Sequence, residues 1–153
     1  VIPRLIDMGV EEFLIASSMN LMVAQRLVIK LCDFCKKEEV ASEKLQAIMK
    51  KTISNLPPDV KSEVTSKFKE PYKTFHSPGC KVCNNKGISG RIGIFEMLMV
   101  TSELKEILGH DLSEEKLKEE ANRQGMVTLR GDGVIKILEG LVPAEEVIRE
   151  TTE

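Results

Sequence analysis

Cys32-Asp33-Phe34-Cys35 and Cys80-Lys81-Val82-Cys83 contain all four cysteines of the chain. Two residues between paired cysteines let a tight turn aim both sulfurs at one ion. Backbone N–H groups in such a turn can hydrogen-bond the thiolates and spread their charge. Two such turns complete a tetrahedron with metal–sulfur bonds of ~2.3 Å. The 44 residues between Cys35 and Cys80 exceed the shortest ribbon spacings, so an insertion must lie between the knuckles. An ion held by Cys32, Cys35, Cys80 and Cys83 closes that loop, whose closure entropy otherwise opposes folding. A four-thiolate site leaves no open position for water, which makes the role structural. Zinc is the expected ion, and iron suits the same tetrahedron. Two disulfides or a redox pair form the remaining alternative. A redox Cys-x-x-Cys wants a strand–helix context, and no strong helix signal follows Cys35.

Outward from the first knuckle, Leu27, Ile29 and Leu31 alternate with Arg26, Val28 and Lys30. Period two predicts a strand over 25–31 with one mostly apolar face, running directly into Cys32. Before the second knuckle, 72–76 reads as a possible strand, and Ser77-Pro78-Gly79 turns the chain into Cys80. After it, Asn84-Asn85-Lys86-Gly87 is another turn. A strand over 90–100 follows, expected to pair with 72–76 or 25–31. Between the knuckles, Ser42-Glu43 opens a helix carrying Leu45, Ile48, Met49 and Ile53. Pro57-Pro58 breaks it, and 59–69 reads as a short, mostly exposed helix. Residues 42–70 are therefore expected to be a weakly packed helical insertion. At the start, Pro3 suits a first helical turn and Gly9 a stop. Glu11 and Glu12 open a second helix. The last third reads as four helices. Thr101 or Ser102 caps the first, ending near Gly109. Ser113 caps the second, with Leu117 and Ala121 inward. Thr128 caps the third, with Leu129, Val134, Ile137 and Leu138. Pro143 begins the fourth, with Val147 and Ile148 inward.

Composition bounds the functions. With 153 residues, 42% apolar and 30% charged, the chain is long enough for a core without disulfides. No apolar run approaches the roughly 20 residues that span a bilayer. No export signal is visible, and thiols in a reducing compartment bind metal more often than they pair. The sequence opens Val1-Ile2-Pro3, so a cut piece of a longer protein is expected. Residues 1–100 carry 15 Lys and Arg against 11 Asp and Glu; the remainder carry 7 against 13. Two differently charged solvated faces account for that split. There is no phosphate loop, no Gly-x-Ser-x-Gly elbow and no His-Glu-x-x-His. Gly87-Ile88-Ser89-Gly90-Arg91-Ile92-Gly93 does not join a strand to a helix and reads as a hairpin turn. His76 reads as a surface or turn histidine, and His110 has no partner pattern. Arg26 and Arg91 are phosphate-binding candidates only because of their chemistry; solvent-facing arginines are the plainer reading.

Ile2-Pro3-Arg4-Leu5-Ile6-Asp7-Met8-Gly9-Val10, Phe13-Leu14-Ile15-Ala16-Ser17-Ser18 and Ala24-Gln25-Arg26-Leu27-Val28 lead into the first knuckle. Gly79-Cys80-x-x-Cys83-Asn84, Gly87 and Gly90-Arg91-Ile92-Gly93-Ile94-Phe95-Glu96 surround the second. Gln124-Gly125-Met126, Thr128-Leu129 and Asp132-Gly133 follow near the end. In this order they resemble the C-terminal part of the type II secretion and type IV pilus assembly ATPases, in their tetracysteine, zinc-binding branch. Only 42–70 stands outside the match. The resemblance implies a fragment beginning after the histidine box of a cytoplasmic, hexameric RecA-like motor. The parent uses ATP and Mg2+, docks on an inner-membrane platform protein and drives pilin or pseudopilin polymerisation. Its phosphate loop and Walker B motif lie upstream, so the fragment alone is expected to be inactive. The cysteine knuckles favour an assembly or secretion motor over a retraction motor.

The fold expected on this reading is α/β to α+β. Residues 1–31 are the end of a RecA-like core, 32–100 a tetracysteine metal-binding subdomain with the 42–70 insertion, and 101–153 a C-terminal helical bundle. The zinc would be structural, and the chain peripheral at the inner membrane through partners. The alternative is a zinc-ribbon nucleic-acid module. Few aromatics lie near the knuckles (Phe34, Tyr72, Phe75 and Phe95), and the basic excess is small, so nucleic acid is not the expected partner.

Overall fold

The computed structural model describes residues 2–110 and 113–152; the side chains of Pro3, Glu12, Phe13, Ala16 and His110 lie outside that description. The mixed fold expected from the sequence is found, and the described chain forms two compact units. The first comprises residues 1–23 and 97–126, the second 24–96 and 127–153. In this grouping the last two helices belong with the knuckles.

In the first unit, α1 (Ile2–Asp7) and α2 (Glu12–Ser18) precede the start of β1 (Leu21–Leu31). The end of β4 (Ile88–Met99) leads into α5 (Ser102–His110) and α6 (Glu114–Arg123). Ile2, Ile15, Val100, Leu104 and Leu108 form its core. Thr101 Oγ1 accepts the Leu104 N–H at 3.2 Å and Ser113 Oγ the Lys116 N–H at 3.3 Å, so both expected caps are present. Glu120 is buried and accepts hydrogen bonds from Thr101, Arg123 and Gln124. Gln124 in turn exchanges two 3.0 Å bonds with the backbone of Met99.

In the second unit, β2 (Lys37–Val40) and β3 (Lys73–His76) form an antiparallel ribbon. They bracket α3 (Glu43–Ser54) and α4 (Pro58–Lys67), and α7 (Leu129–Leu138) and α8 (Ala144–Thr151) complete the unit. β1 pairs with β4. The Val100 N–H donates to the Asn20 carbonyl and Ser89 Oγ to the Leu31 carbonyl, which fixes that pair as antiparallel. One of the two pairings expected for 90–100 is thus formed; 72–76 pairs instead with the short strand Lys37–Val40.

Three sequence expectations fail here for identifiable reasons. The 42–70 segment is no loosely packed insertion. Leu45, Met49, Ile53, Leu56 and Val64 enter the main core with Val28, Tyr72, Ile94 and the inner faces of α7 and α8, and Met49 is completely buried. An a/d-like stripe on α3 was visible, but its partner α7 lies some 80 residues away in sequence, where local pattern gives no hint. In β1 Val28 and Leu31 are buried, while Leu27 is 54% exposed; the alternation places Leu31 correctly and exchanges Leu27 for Val28. Val28 meets Ile94 in the core, and both are fully buried. Finally, 88–93 is not a turn but the start of β4; the reversal occurs at 84–87.

Candidate metal centre

Each knuckle hangs from a regular element. β1 ends at Leu31, and the next residue is Cys32. The Lys36 N–H returns to the Cys32 carbonyl at 3.0 Å and the Cys35 N–H to the same carbonyl at 3.3 Å, closing the first turn. The second turn is a 3-10 segment, Lys81–Cys83, with Asn84 and Asn85 in the left-handed region at φ 52° and 60°. Asparagine tolerates that conformation better than most residues. The Asn85 N–H closes onto the Cys80 carbonyl at 2.8 Å.

The two turns converge. All four Sγ atoms lie within 4.8 Å of one another. Cys32 and Cys80 are 4.0 Å apart, Cys35 and Cys83 3.9 Å, and Cys80 and Cys83 3.7 Å. A tetrahedron with ~2.3 Å bonds has edges of ~3.8 Å. These separations match those edges and are far too long for a disulfide bond of ~2.05 Å. The cysteines are free, Cys32 and Cys83 are buried, and Cys35 and Cys80 are partly so. The donor set therefore fits a four-coordinate thiophilic ion.

Gly87 joins the two halves. Its N–H donates to Cys83 Sγ at 3.2 Å and its carbonyl accepts the Cys32 N–H at 2.9 Å. Its φ is +70°, and a Cβ there would lie 2.3 Å from the Ser77 carbonyl oxygen. Only glycine suits both the conformation and the space. The Cys80 N–H adds a second bond to Cys83 Sγ at 3.1 Å.

Protonation in the bare cluster is correspondingly split. Burial is the largest influence on both Cys83 and Cys35. At Cys83 it is outweighed by the N–H groups of Cys80 and Gly87 and by the neighbouring thiols, leaving its thiol at about 6. At Cys35 burial prevails over the Gly79 N–H, pushing the thiol to about 12. Four sulfurs this close cannot all ionise unless a cation sits among them, which is the condition a bound metal satisfies.

The surroundings brace the knuckles. Asp33 is held below the usual carboxylate range, first by its hydrogen bond to Lys36 and then by Lys30. Lys36 also donates to the Gly140 carbonyl at 3.0 Å and sits 6.0 Å from the centroid of Phe75. The Leu31 N–H donates to the Leu141 carbonyl at 2.8 Å. The α7–α8 turn is thus tied to the strand end that carries Cys32. Sequence reasoning missed these braces: Lys36 is ordinary in composition, and its partner carbonyl is 104 residues away.

His76 is not among the converging ligands. Its Nδ1 lies 3.3 Å from Glu39 across the β2–β3 ribbon, as a surface histidine would. The side chain of His110 lies outside the described residues. Arg26 and Arg91 are exposed on β1 and β4.

The profile of the family described as "Type II/IV secretion system protein" matches residues 1–149, and the chain belongs to that family. It is 36% identical over 150 residues to the type IV pilus assembly ATPase PilB of Myxococcus xanthus, covering 98% of this chain and 24% of that protein. It is 37% identical over 152 residues to the type II secretion system ATPase E of Vibrio cholerae, covering 99% of this chain and 27% of that one. The type IV pilus assembly ATPase PilB of Thermus thermophilus is 36% identical over 152 residues, 99% of this chain and 16% of its own length. The chain thus spans about a quarter or less of these relatives. Their alignments run through 42–70, in keeping with its place in the core. Among the described residues, no helix is long and apolar enough to cross a membrane.

Proposed function

We propose that this chain is the C-terminal, zinc-stapled part of a hexameric ATPase that powers pilin or pseudopilin polymerisation. The parent binds ATP and Mg2+, works on the cytoplasmic face of the inner membrane, and engages a platform protein there. Residues 1–31 are the end of its RecA-like core. Cys32, Cys35, Cys80 and Cys83 hold Zn2+ in a closed structural site. The chain carries no phosphate loop and does not hydrolyse ATP by itself.

The observation that carries this reading is the four-sulfur cluster at tetrahedral edge lengths within a chain related throughout to secretion and pilus ATPases. The zinc acts as a staple. It closes the chain around α3 and α4 and joins the end of β1 to the start of β4, where the α7–α8 turn braces Leu31 and Lys36, so the unit keeps one shape while the motor works. Its rigid outer surface is then available to a neighbouring subunit or a membrane partner.

The test uses the full-length motor. Cys80→Ser should release about one zinc per subunit, lower thermal stability and impair assembly. Loss of zinc with normal hexamers, hydrolysis and pilus or pseudopilus formation sinks the staple. Absence of zinc from the unsubstituted protein sinks the metal assignment.

A further inference from the structure

Away from the cysteines, the second unit contains a groove of about 430 Å³ between the end of α4 and β3. Lys67, Phe68, Lys69, Tyr72, Lys73 and Phe75 line it. Three of the six aromatic residues of the chain meet here, although aromatics are only 4% of the composition. Three lysines stand around them, and the one carboxylate in the lining, Glu38, is already paired with Lys73 at 2.5 Å.

The lysines are only lightly engaged. Lys69 donates to the Thr65 carbonyl at 2.6 Å, and Lys67 pairs with Glu63 at 2.5 Å. Each ammonium has three donors, so each keeps two. Pairs this exposed exchange readily for a better anion. Phe68 is half-buried and packs against the main core, Phe75 is half-buried between Lys36 and Gly140, and Tyr72 is buried and held by backbone bonds to Gln46 and Ala41. The aromatic lining is therefore fixed before any ligand arrives, which lowers the entropy cost of binding.

Aromatic faces recognise a planar ring, and lysines recognise phosphate as point charges. The volume falls in the range of small-ligand sites, roughly 300–1,000 Å³. We propose that this groove binds a nucleoside phosphate, with its base against the half-buried rings of Phe68 and Phe75, over the buried Tyr72, and its phosphate on Lys67 and Lys69. The groove shares Phe75 with the Lys36 brace but none of the four cysteines, and goes beyond the motor's own nucleotide chemistry, for which this chain holds no phosphate loop.

The chain has one tyrosine and no tryptophan, so the Tyr72 ring protons are a unique reporter in NMR spectra. The 153-residue chain is titrated with AMP, with adenosine and with inorganic phosphate. AMP should shift the Tyr72 resonances saturably, with adenosine and phosphate each binding at least about tenfold more weakly. Lys69→Glu should weaken AMP binding by about fivefold or more, Lys69→Arg should restore it, and Lys105→Glu, on α5 of the first unit, should leave it within about twofold. Circular dichroism confirms that each variant is folded. The proposal fails if Tyr72 shows no saturable shift up to ~10 mM AMP, ten times a 1 mM Kd. It also fails if phosphate or adenosine alone binds as well as AMP, or if Lys69→Glu binds AMP as the parent chain does. Since none of these readouts involves zinc or motor assembly, they leave the staple reading untouched.

Discussion

Gly87→Ala is the sharpest perturbation of the metal centre, because it changes no ligand. An alanine at φ +70° costs ~1–2 kcal/mol in the left-handed region. Its Cβ would also lie 2.3 Å from the Ser77 carbonyl oxygen, so the backbone must move. The moving atoms are those that donate to Cys83 Sγ and accept from the Cys32 N–H. A hydrogen bond to a charged sulfur contributes ~1.5–3 kcal/mol and a neutral one ~0.5–1.5 kcal/mol. The total is ~3–6.5 kcal/mol, and relaxation favours the lower end. At 1.4 kcal/mol per decade, ~3 kcal/mol is a loss of about 100-fold in zinc affinity. The assay is competition for zinc against a chromophoric chelator, with thermal melting in parallel. At ~2–4 °C per kcal/mol for a chain of this size, the melt should fall by at least ~6 °C. Gly109→Ala, at a helical position with open space around it, is the control and should be neutral or slightly stabilising. If Gly87→Ala binds zinc within threefold of the parent chain and melts with it, Gly87 is not the link between the knuckles.

Met49→Ala should destabilise the chain by ~2–5 kcal/mol in urea unfolding, since Met49 is fully buried; a loss under ~1 kcal/mol would return α3 to the status of a loose appendage. Excess chelator should lower the melting temperature of the parent chain and leave Cys80→Ser unchanged, because that variant has no metal to lose; equal shifts in both would argue against metal at the cysteines. Glu120 is held at about 2, chiefly by Arg123 and against burial, with help from Gln124 and Thr101. A lowered carboxylate stabilises above its unfolded value of 4.5 and loses that contribution as pH falls toward 2. The shift corresponds to ~3 kcal/mol, trimmed to ~1–2 kcal/mol because Arg123 is half exposed. The parent chain should therefore lose more stability than Glu120→Gln between pH 4.5 and 2 in matched acid titrations; identical slopes would refute the network.

Local signals carried well. Ser42, Ser113 and Thr128 each accept the N–H three residues on, as cap residues do. The four cysteines converge, as their paired spacing suggested. What the sequence concealed is what long-range packing decides. The β2 strand is exposed at all four positions and has no apolar alternation to betray it. It is a strand because its register with β3 satisfies its backbone. In β1 the alternation read Leu31 correctly and missed at Leu27 and Val28, because both are apolar and only long-range packing chooses between them. The importance of α3 was hidden for the same reason: a helix looks like an insertion until its partner α7 is known.

The bonds from Lys36 to Gly140 and from Leu31 to Leu141 also set an order of events. During synthesis the first pair of thiols leaves the ribosome with no second pair to meet, and no α7–α8 turn to lean on. At ~5–20 residues per second, the second pair follows several seconds later and the bracing turn later still. For that interval the nascent chain presents two bare cysteines beside an exposed Phe34. On the proposed zinc reading, the four-thiolate site cannot close until Cys83 has emerged, so the first knuckle waits in the growing chain with half of its donor set.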